Sequence, residues 1–249
     1  MNLEEIRQKA FADARKGLRK SFAKKDAQVI QAISALDDVD KDVNVFVERL
    51  REWYSLHFPE LDSVVKDHRK YSEYAFAGPR TEIEDRKIKN MAEKSVGAEL
   101  GEDEYKIIRR YAGQALEMYK LRDDIEKYVD KSMKRLAPNI SELAGPTVGA
   151  RLIKLAGSLE NLARMPSSTI QVLGAEKALF RHLKTGANPP KYGVIFQVDA
   201  IHGADKPKRG RIARMLAAKL AIAARIDYAN PAINSALIEK YKQRLKNIR

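Results

Sequence analysis

Two short runs in the carboxyl-terminal half of this 249-residue chain hold side chains whose types and spacing suit one chemistry, the holding of a polyanion. The first is Gly174-Ala-Glu-Lys-Ala-Leu-Phe-Arg181. Gly174 can break one helix, and Ala175 lets a partner approach closely. Glu176 and Lys177 then fall at a new helix N-terminus, the dipole end that favours anions. Phe180 can stack on a base or fill the core, and side-chain type alone favours the core. The second run is Lys206-Pro-Lys-Arg-Gly-Arg211, followed by Arg214 and Lys219 on a helix. Pro207 and Gly210 predict an irregular basic loop whose N–H groups and side chains can follow a phosphate track. A solvated charge run is the simpler alternative. About six phosphate contacts would give a log–log salt slope of about −4 to −5.

Other chemistries find little support. His57, His68, His182 and His202 lack metal-ligand spacing and are expected at the surface or half-buried. His182 adjoins Arg181, which leaves base stacking as a minor option. Glu82, Glu84 and Asp85 form an acidic cluster, which the positive end of a helix dipole explains without a cation. Gly145-Pro-Thr-Val-Gly-Ala lacks the Gly-Lys-Ser/Thr ending of a nucleotide loop, so its glycines are read as tight helix packing. There is no Cys, which excludes disulfides and thiolate chemistry and fits a reducing, cytoplasmic setting. No catalytic constellation emerges, so neither an enzyme nor a cofactor or metal is expected.

The charge is unevenly placed. Residues 138–249 hold 19 Lys and Arg against 7 Asp and Glu, whereas residues 1–137 hold 28 against 27. A near-neutral half joined to a basic half reads as a scaffold carrying a polyanion-binding module. No apolar stretch approaches the roughly 18–20 residues that span a bilayer, and the amino terminus lacks the pattern of a signal peptide.

The elements that must position these groups read as helices. Residues 1–25 look like a charged linker or helical lead-in. From Val29 a seam with steps of three and four runs through Ile33, Leu36, Asp40, Val43, Val47, Leu50 and Tyr54, limited by Pro59. A second stretch runs from Leu61 to about Phe76 and breaks at Gly78-Pro79. Thr81-Glu-Ile-Glu84 resembles a capping box, and Gly97 and Gly101 mark another turn. A longer seam follows: Ile108, Tyr111, Ala115, Met118, Arg122, Ile125, Val129, Ser132 and Leu136, with Leu121 and Tyr128 placed to widen it. Such spacing predicts a coiled coil, with an ordinary amphipathic helix as the alternative. Two such helices can pack antiparallel and pair with a second copy. Beyond Pro138, short helices are expected at 148–155, 175–183 and 212–226, with Gly193–Val198 as the one strand-like or extended run. The cations Lys240, Lys242, Arg244, Lys246 and Arg249 read as a helical tail.

Five segments spread over the chain resemble one family. They are Asp26-Ala-Gln-Val-Ile-Gln-Ala-Ile33, Glu52-Trp-Tyr-Ser-Leu-His-Phe-Pro-Glu60, Gly145-Pro-Thr-Val-Gly-Ala-Arg151, Gly174–Arg181 and Arg214-Met-Leu-Ala-Ala-Lys-Leu-Ala-Ile-Ala-Ala-Arg225. They are similar to the Nop-domain core proteins of box C/D small ribonucleoproteins, the archaeal members above all, and more distantly to a spliceosomal protein with the same domain.

The resemblance implies an all-α protein: a long antiparallel coiled-coil domain followed by a compact helical Nop RNA-binding domain. The expected division is a lead-in at 1–25, self-association at 26–137 and RNA and ribonucleoprotein binding at 138–249. The implied partners are a box C/D guide RNA with its kink-turn, a small ribosomal-protein-like kink-turn binder and a second copy of the chain. Fibrillarin, the 2′-O-methyltransferase, would dock only through an amino-terminal domain that the resemblance places before residue 1. By the same resemblance, Gly174, Ala175, Glu176 and Lys177 face RNA and partner. Ala178, Leu179, Phe180 and Arg181 lie near the guide–substrate duplex. Lys191, in Asn188-Pro-Pro-Lys191, is a weaker RNA candidate, and Lys208, Arg209, Arg211 and Arg214 complete the expected surface. The competing reading is a coiled-coil interaction protein whose basic face binds an acidic protein or a membrane.

Overall fold

A computed structural model of the chain describes residues 3–83 and 85–248. Its described residues form helices and no strand. In chain order these are α1 (Leu3–Phe22), α2 (Lys25–Tyr54), α3 (Pro59–Val64), α4 (His68–Ala77), α5 (Arg86–Ala92), α6 (Glu102–Leu136) and α7 (Pro138–Ala144). Then come α8 (Pro146–Ala156), α9 (Leu159–Arg164), α10 (Ser167–Val172), α11 (Glu176–Thr185), α12 (Asp199–His202), α13 (Lys206–Ala229) and α14 (Ser235–Lys246). Single 3-10 turns lie at Arg80–Glu82 and Val194–Gln197. The chain divides into two compact units: residues 35–125 form one, and residues 1–34 with 126–249 form the other.

In the 35–125 unit the apolar seam of α2 is buried as its spacing predicts. Leu36, Val43, Val47, Leu50 and Tyr54 are all buried. They share the interior with Ile108, Ala112 and Ala115 of α6. The two helices run antiparallel here: Asp40 meets Arg122, while Phe46 stacks on Tyr111 with ring centroids 3.9 Å apart. The expected stretch from Leu61 to Phe76 is two helices. Asp67 ends the intervening turn and caps α4, its carboxylate accepting from the Lys70 N–H at 2.7 Å. Helix α5 likewise opens on Asp85, which accepts from the Lys87 N–H, and not on Thr81. Glu84, the other end of the expected capping box and a member of the acidic cluster, lies outside the described residues.

His57 departs from the expectation of a surface or half-buried side chain. It is fully buried. Its Nδ1–H donates to the Ala98 carbonyl at 2.7 Å, which leaves Nε2 to accept from the Tyr105 hydroxyl at 2.6 Å and the Arg80 N–H at 3.2 Å. The Arg80 guanidinium donates to the carbonyls of His57 and Gly97 and pairs with Glu99. Burial among these groups holds the imidazole pKa below its ordinary value. Leu121, expected to widen the α6 stripe, is instead 52% exposed.

The other unit is built around α13. Its alanine-rich sequence has high helix propensity and lets neighbours approach closely. Ile212, Ala213, Leu216, Ala217, Leu220, Ala223 and Ala224 are buried. Helices α7, α9 and α10 pack against it. Near its end, buried Asp227 serves α7: its carboxylate accepts from the N–H groups of Asn139 and Ile140 at 3.2 and 2.9 Å, and from the Asn139 amide at 2.6 Å. These are donors that an α-helix start leaves unpaired, and Pro138 in the first turn removes another. Asp26 does similar work for α9, accepting from the Leu159 N–H at 3.0 Å. Gly149 of α8 meets Ile140 and Met133, and an added Cβ would lie 2.8 and 2.9 Å from their methyl carbons. Tight packing, as expected, is its use. Tyr128, the second residue expected to widen the α6 stripe, is 49% exposed. No strand forms at Gly193–Val198 either, where Val194–Gln197 make a 3-10 turn; the Gly193 and Val194 N–H groups donate to the carbonyls of Gln171 and Leu173 instead of to a sheet.

Candidate nucleic-acid interface

The basic run Lys206–Arg211 is not a loop. It is the opening of α13, with Pro207 in the first turn, where its missing N–H costs nothing. The carbonyl of Asp205 accepts from the N–H groups of Lys208 and Arg209, so the backbone is committed to helix and not to phosphate. From Lys206 to Ile226 the chain carries seven Lys and Arg and no Asp or Glu. Helical geometry sorts these cations by direction.

Lys206, Arg211 and Arg214 face an open groove of about 660 Å³ whose opposite wall is Asn188, Pro189, Pro190 and Lys191, with Gln171 beside it. The Gln171 amide donates to the Lys191 carbonyl at 2.7 Å and fixes that wall. Four cations therefore converge with no carboxylate in the lining. Lys191, Arg211 and Arg214 are thereby brought together from separate segments. Lys206 joins them; the charge run contains it, but only the helix shows which way it points.

Arg209 and Lys208, also in the expected surface, lie outside the groove. Arg209 turns inward: its guanidinium donates to the carbonyls of Ala204 at 2.8 Å and His202 at 2.9 Å, and lies over the Phe196 ring at 5.5 Å. Phe196 in turn stacks on Tyr192 at 4.7 Å. Arg209 is thus a strut joining the start of α13 to the 3-10 turn. Lys208 is half-buried and pairs with Asp205 at 3.0 Å. Neither lines the groove.

The other candidate run opens α11. Gly174 has a φ of +88°, a left-handed conformation that favours glycine, and it breaks the chain between α10 and α11 as expected. Its N–H donates to the Glu176 carboxylate at 2.7 Å, so Glu176 closes its own helix start. Ala175 precedes the first turn, and Lys177 and Arg181 are exposed. Ala178 and Leu179 are half-buried. No residue of α11 is fully buried. Phe180 is 60% exposed and Leu183 70%, which removes the core reading that side-chain type favoured for Phe180. The structure thus presents an aromatic and an aliphatic side chain between Lys177, Arg181 and Lys184, none of which lines the groove. His182 is half-buried, its Nδ1 on the Ala187 carbonyl.

Among the described residues no cluster of His, Asp and Glu could hold a metal ion, and no helix is long and apolar enough to cross a membrane.

A family model described as Nop, snoRNA binding domain, fibrillarin, matches residues 35–247. The chain is 44% identical to an uncharacterized NOP5 family protein of Methanocaldococcus jannaschii, over all of this chain and 64% of that protein. It is 42% identical to nucleolar protein 58 of Schizosaccharomyces pombe, over 86% of this chain and 45% of that protein. Nucleolar protein 56 of the same species is 39% identical, over 94% and 52%. The chain therefore spans less than two thirds of the length of each of these relatives. Among solved structures, the crystal structure of a fibrillarin/Nop5p complex superposes with a TM-score of 0.60 at 29% identity, covering 99% of this chain and 78% of that one.

Proposed function

The chain belongs to the Nop family, and on that premise we propose that it is the RNA-binding scaffold of a box C/D guide ribonucleoprotein. It binds and orients, and it is not the enzyme. On this reading the methyl transfer falls to fibrillarin, which the similar crystal structure holds in complex with Nop5p. The observation that carries the RNA reading is the groove where Lys191, Lys206, Arg211 and Arg214 meet with no carboxylate among them. Charges so placed attract a phosphodiester backbone and fix its register without reading bases.

The finer assignment is a composite surface. Residues 138–249 bind a kink-turn RNA together with a small kink-turn-binding protein. Gly174, Ala175, Glu176 and Lys177 face RNA and partner, and Ala178 to Arg181 approach the guide–substrate duplex. The exposure of Phe180 supports this, since an exposed aromatic flanked by cations suits stacking on a nucleotide. Residues 26–137 serve self-association, with 1–25 as a lead-in.

The test is a mobility-shift titration on box C/D kink-turn RNA, with and without the small kink-turn-binding protein, at two salt concentrations. Tight binding only in the presence of that protein is expected. Equal binding to any RNA without it would reduce the basic surface to nonspecific attraction. Tighter binding to anionic vesicles than to RNA at matched salt would favour the membrane reading instead.

A further inference from the structure

The cationic surface does not end at Arg214. A second open groove of about 730 Å³ continues along α13 to the end of α14. It shares Arg211 and Arg214 with the first groove and adds Lys219 and Arg244. Its floor is Met215, Ala218 and Ile222, with Ile222 42% exposed, and it too has no carboxylate in its lining. Neither Lys219 nor Arg244 has a carboxylate partner among the described residues. From Lys206 to Ile222 the two grooves follow about 24 Å of a single helix at 1.5 Å per residue.

We propose that the groove between α13 and the end of α14 is a second phosphodiester track, in which Lys219 and Arg244 hold RNA backbone leaving the first groove. The inference rests on the RNA-scaffold reading above and extends it to residues outside the expected surface. Continuity favours a linear polyanion: Arg211 and Arg214 face both grooves, so one strand can pass from one to the other without leaving positive potential. The apolar floor favours nucleic acid over an acidic peptide. Ribose and base faces gain contact from Met215, Ala218 and Ile222, whereas carboxylates would lose hydration there.

The experiment titrates the chain, with the small kink-turn-binding protein, against two RNAs: a kink-turn and the same kink-turn carrying a single-stranded extension. The variants are Lys219→Ala, Arg244→Ala, the pair together, and Lys240→Ala, which removes one α14 charge outside the groove. Circular dichroism and thermal unfolding check each fold, and Arg244→Ala alone keeps the test open should Lys219→Ala unfold. The expected result is tighter wild-type binding to the extended RNA. That gain should fall by about tenfold in the double variant, and the log–log salt slope should shrink by about one to two. Lys240→Ala should change neither. Equal binding of the extended RNA by wild type and double variant would overturn the second track and leave the scaffold reading intact. Failure of the wild type to bind either RNA would remove both. Displacement of the extension by polyglutamate as readily as by RNA would overturn the track in favour of an acidic protein.

Discussion

Asp40 in the seam of α2 and Arg122 in the seam of α6, each a charged residue among apolar ones, are paired with each other: the Arg122 Nε–H donates to the Asp40 carboxylate at 2.7 Å. Each side chain is about a third exposed, at 35% and 29%, so the pair is partly screened by solvent. Arg122→Ala and Asp40→Ala should each destabilise the chain by ~1 kcal/mol in urea unfolding, and the double variant by less than their sum. Strict additivity would show that the pair carries no coupling. Replacing both by leucine should cost little, since apolar contact in the seam would replace a partly buried pair whose net contribution is small.

His57 makes the fold sensitive to mild acid. Its folded pKa is lowered, chiefly by burial, so the unfolded state binds the proton more readily. Stability is therefore fully present above the ordinary histidine pKa of 6.5 and is lost as pH falls below it. Protonation at Nε2 would end its acceptance from Tyr105 and from the Arg80 N–H. The melting temperature of the wild type should fall between pH 6.5 and 5.5. His57→Gln should be less stable at neutral pH and should lose that step; an unchanged acid step would place its origin elsewhere.

Arg209 and Arg211 are two residues apart on α13 and should separate stability from binding. Arg209→Ala removes two hydrogen bonds to carbonyls and a cation–ring contact, and should lower stability by about 1–3 kcal/mol. It should leave the salt slope of RNA binding unchanged. Arg211→Ala should leave the melting temperature in place and reduce the slope by about 0.7–0.9. The opposite pattern in unfolding and mobility-shift assays would reverse these assignments.

Phe180→Ala and Leu183→Ala remove exposed apolar side chains, so each should change stability by no more than about 0.5 kcal/mol. Phe180→Ala should nonetheless weaken assembly with kink-turn RNA and the small binding protein, and Lys177→Ala and Arg181→Ala should do so without loss of helicity. Normal assembly by all three would dissociate α11 from the RNA surface.

Gly149→Ala places a methyl 2.8 Å from Ile140 and 2.9 Å from Met133 in a packed interior. Overpacking of this kind should destabilise the chain by about 1–3 kcal/mol. Thermal unfolding would show it, and a neutral result would mean that α8 can shift away from α7.

Residue order was enough to specify the helical class and the seam of α2, because burial along an amphipathic helix follows spacing: Val43, Val47, Leu50 and Tyr54 are buried in register with their steps of three and four, whereas in α6 Tyr111, Met118 and Ile125 are half-buried and Ala112 and Met133 are buried beside them. It also located the cation-rich runs, since charge is carried by residue type. Direction within a run is a property of the fold. Pro207 and Gly210 have loop-like propensities, yet the helix absorbs them in and after its first turn, and that rotation sends Arg211 and Arg214 to the groove and Arg209 to Phe196. Long-range partners were equally beyond local reading. No spacing rule joins His57 to Ala98 and Tyr105, or Asp227 to Asn139 and Ile140 across 87 or more positions. Phe180 shows the limit most plainly: an aromatic residue in an amphipathic helix is expected inward, yet chain packing among the described residues leaves it 60% exposed.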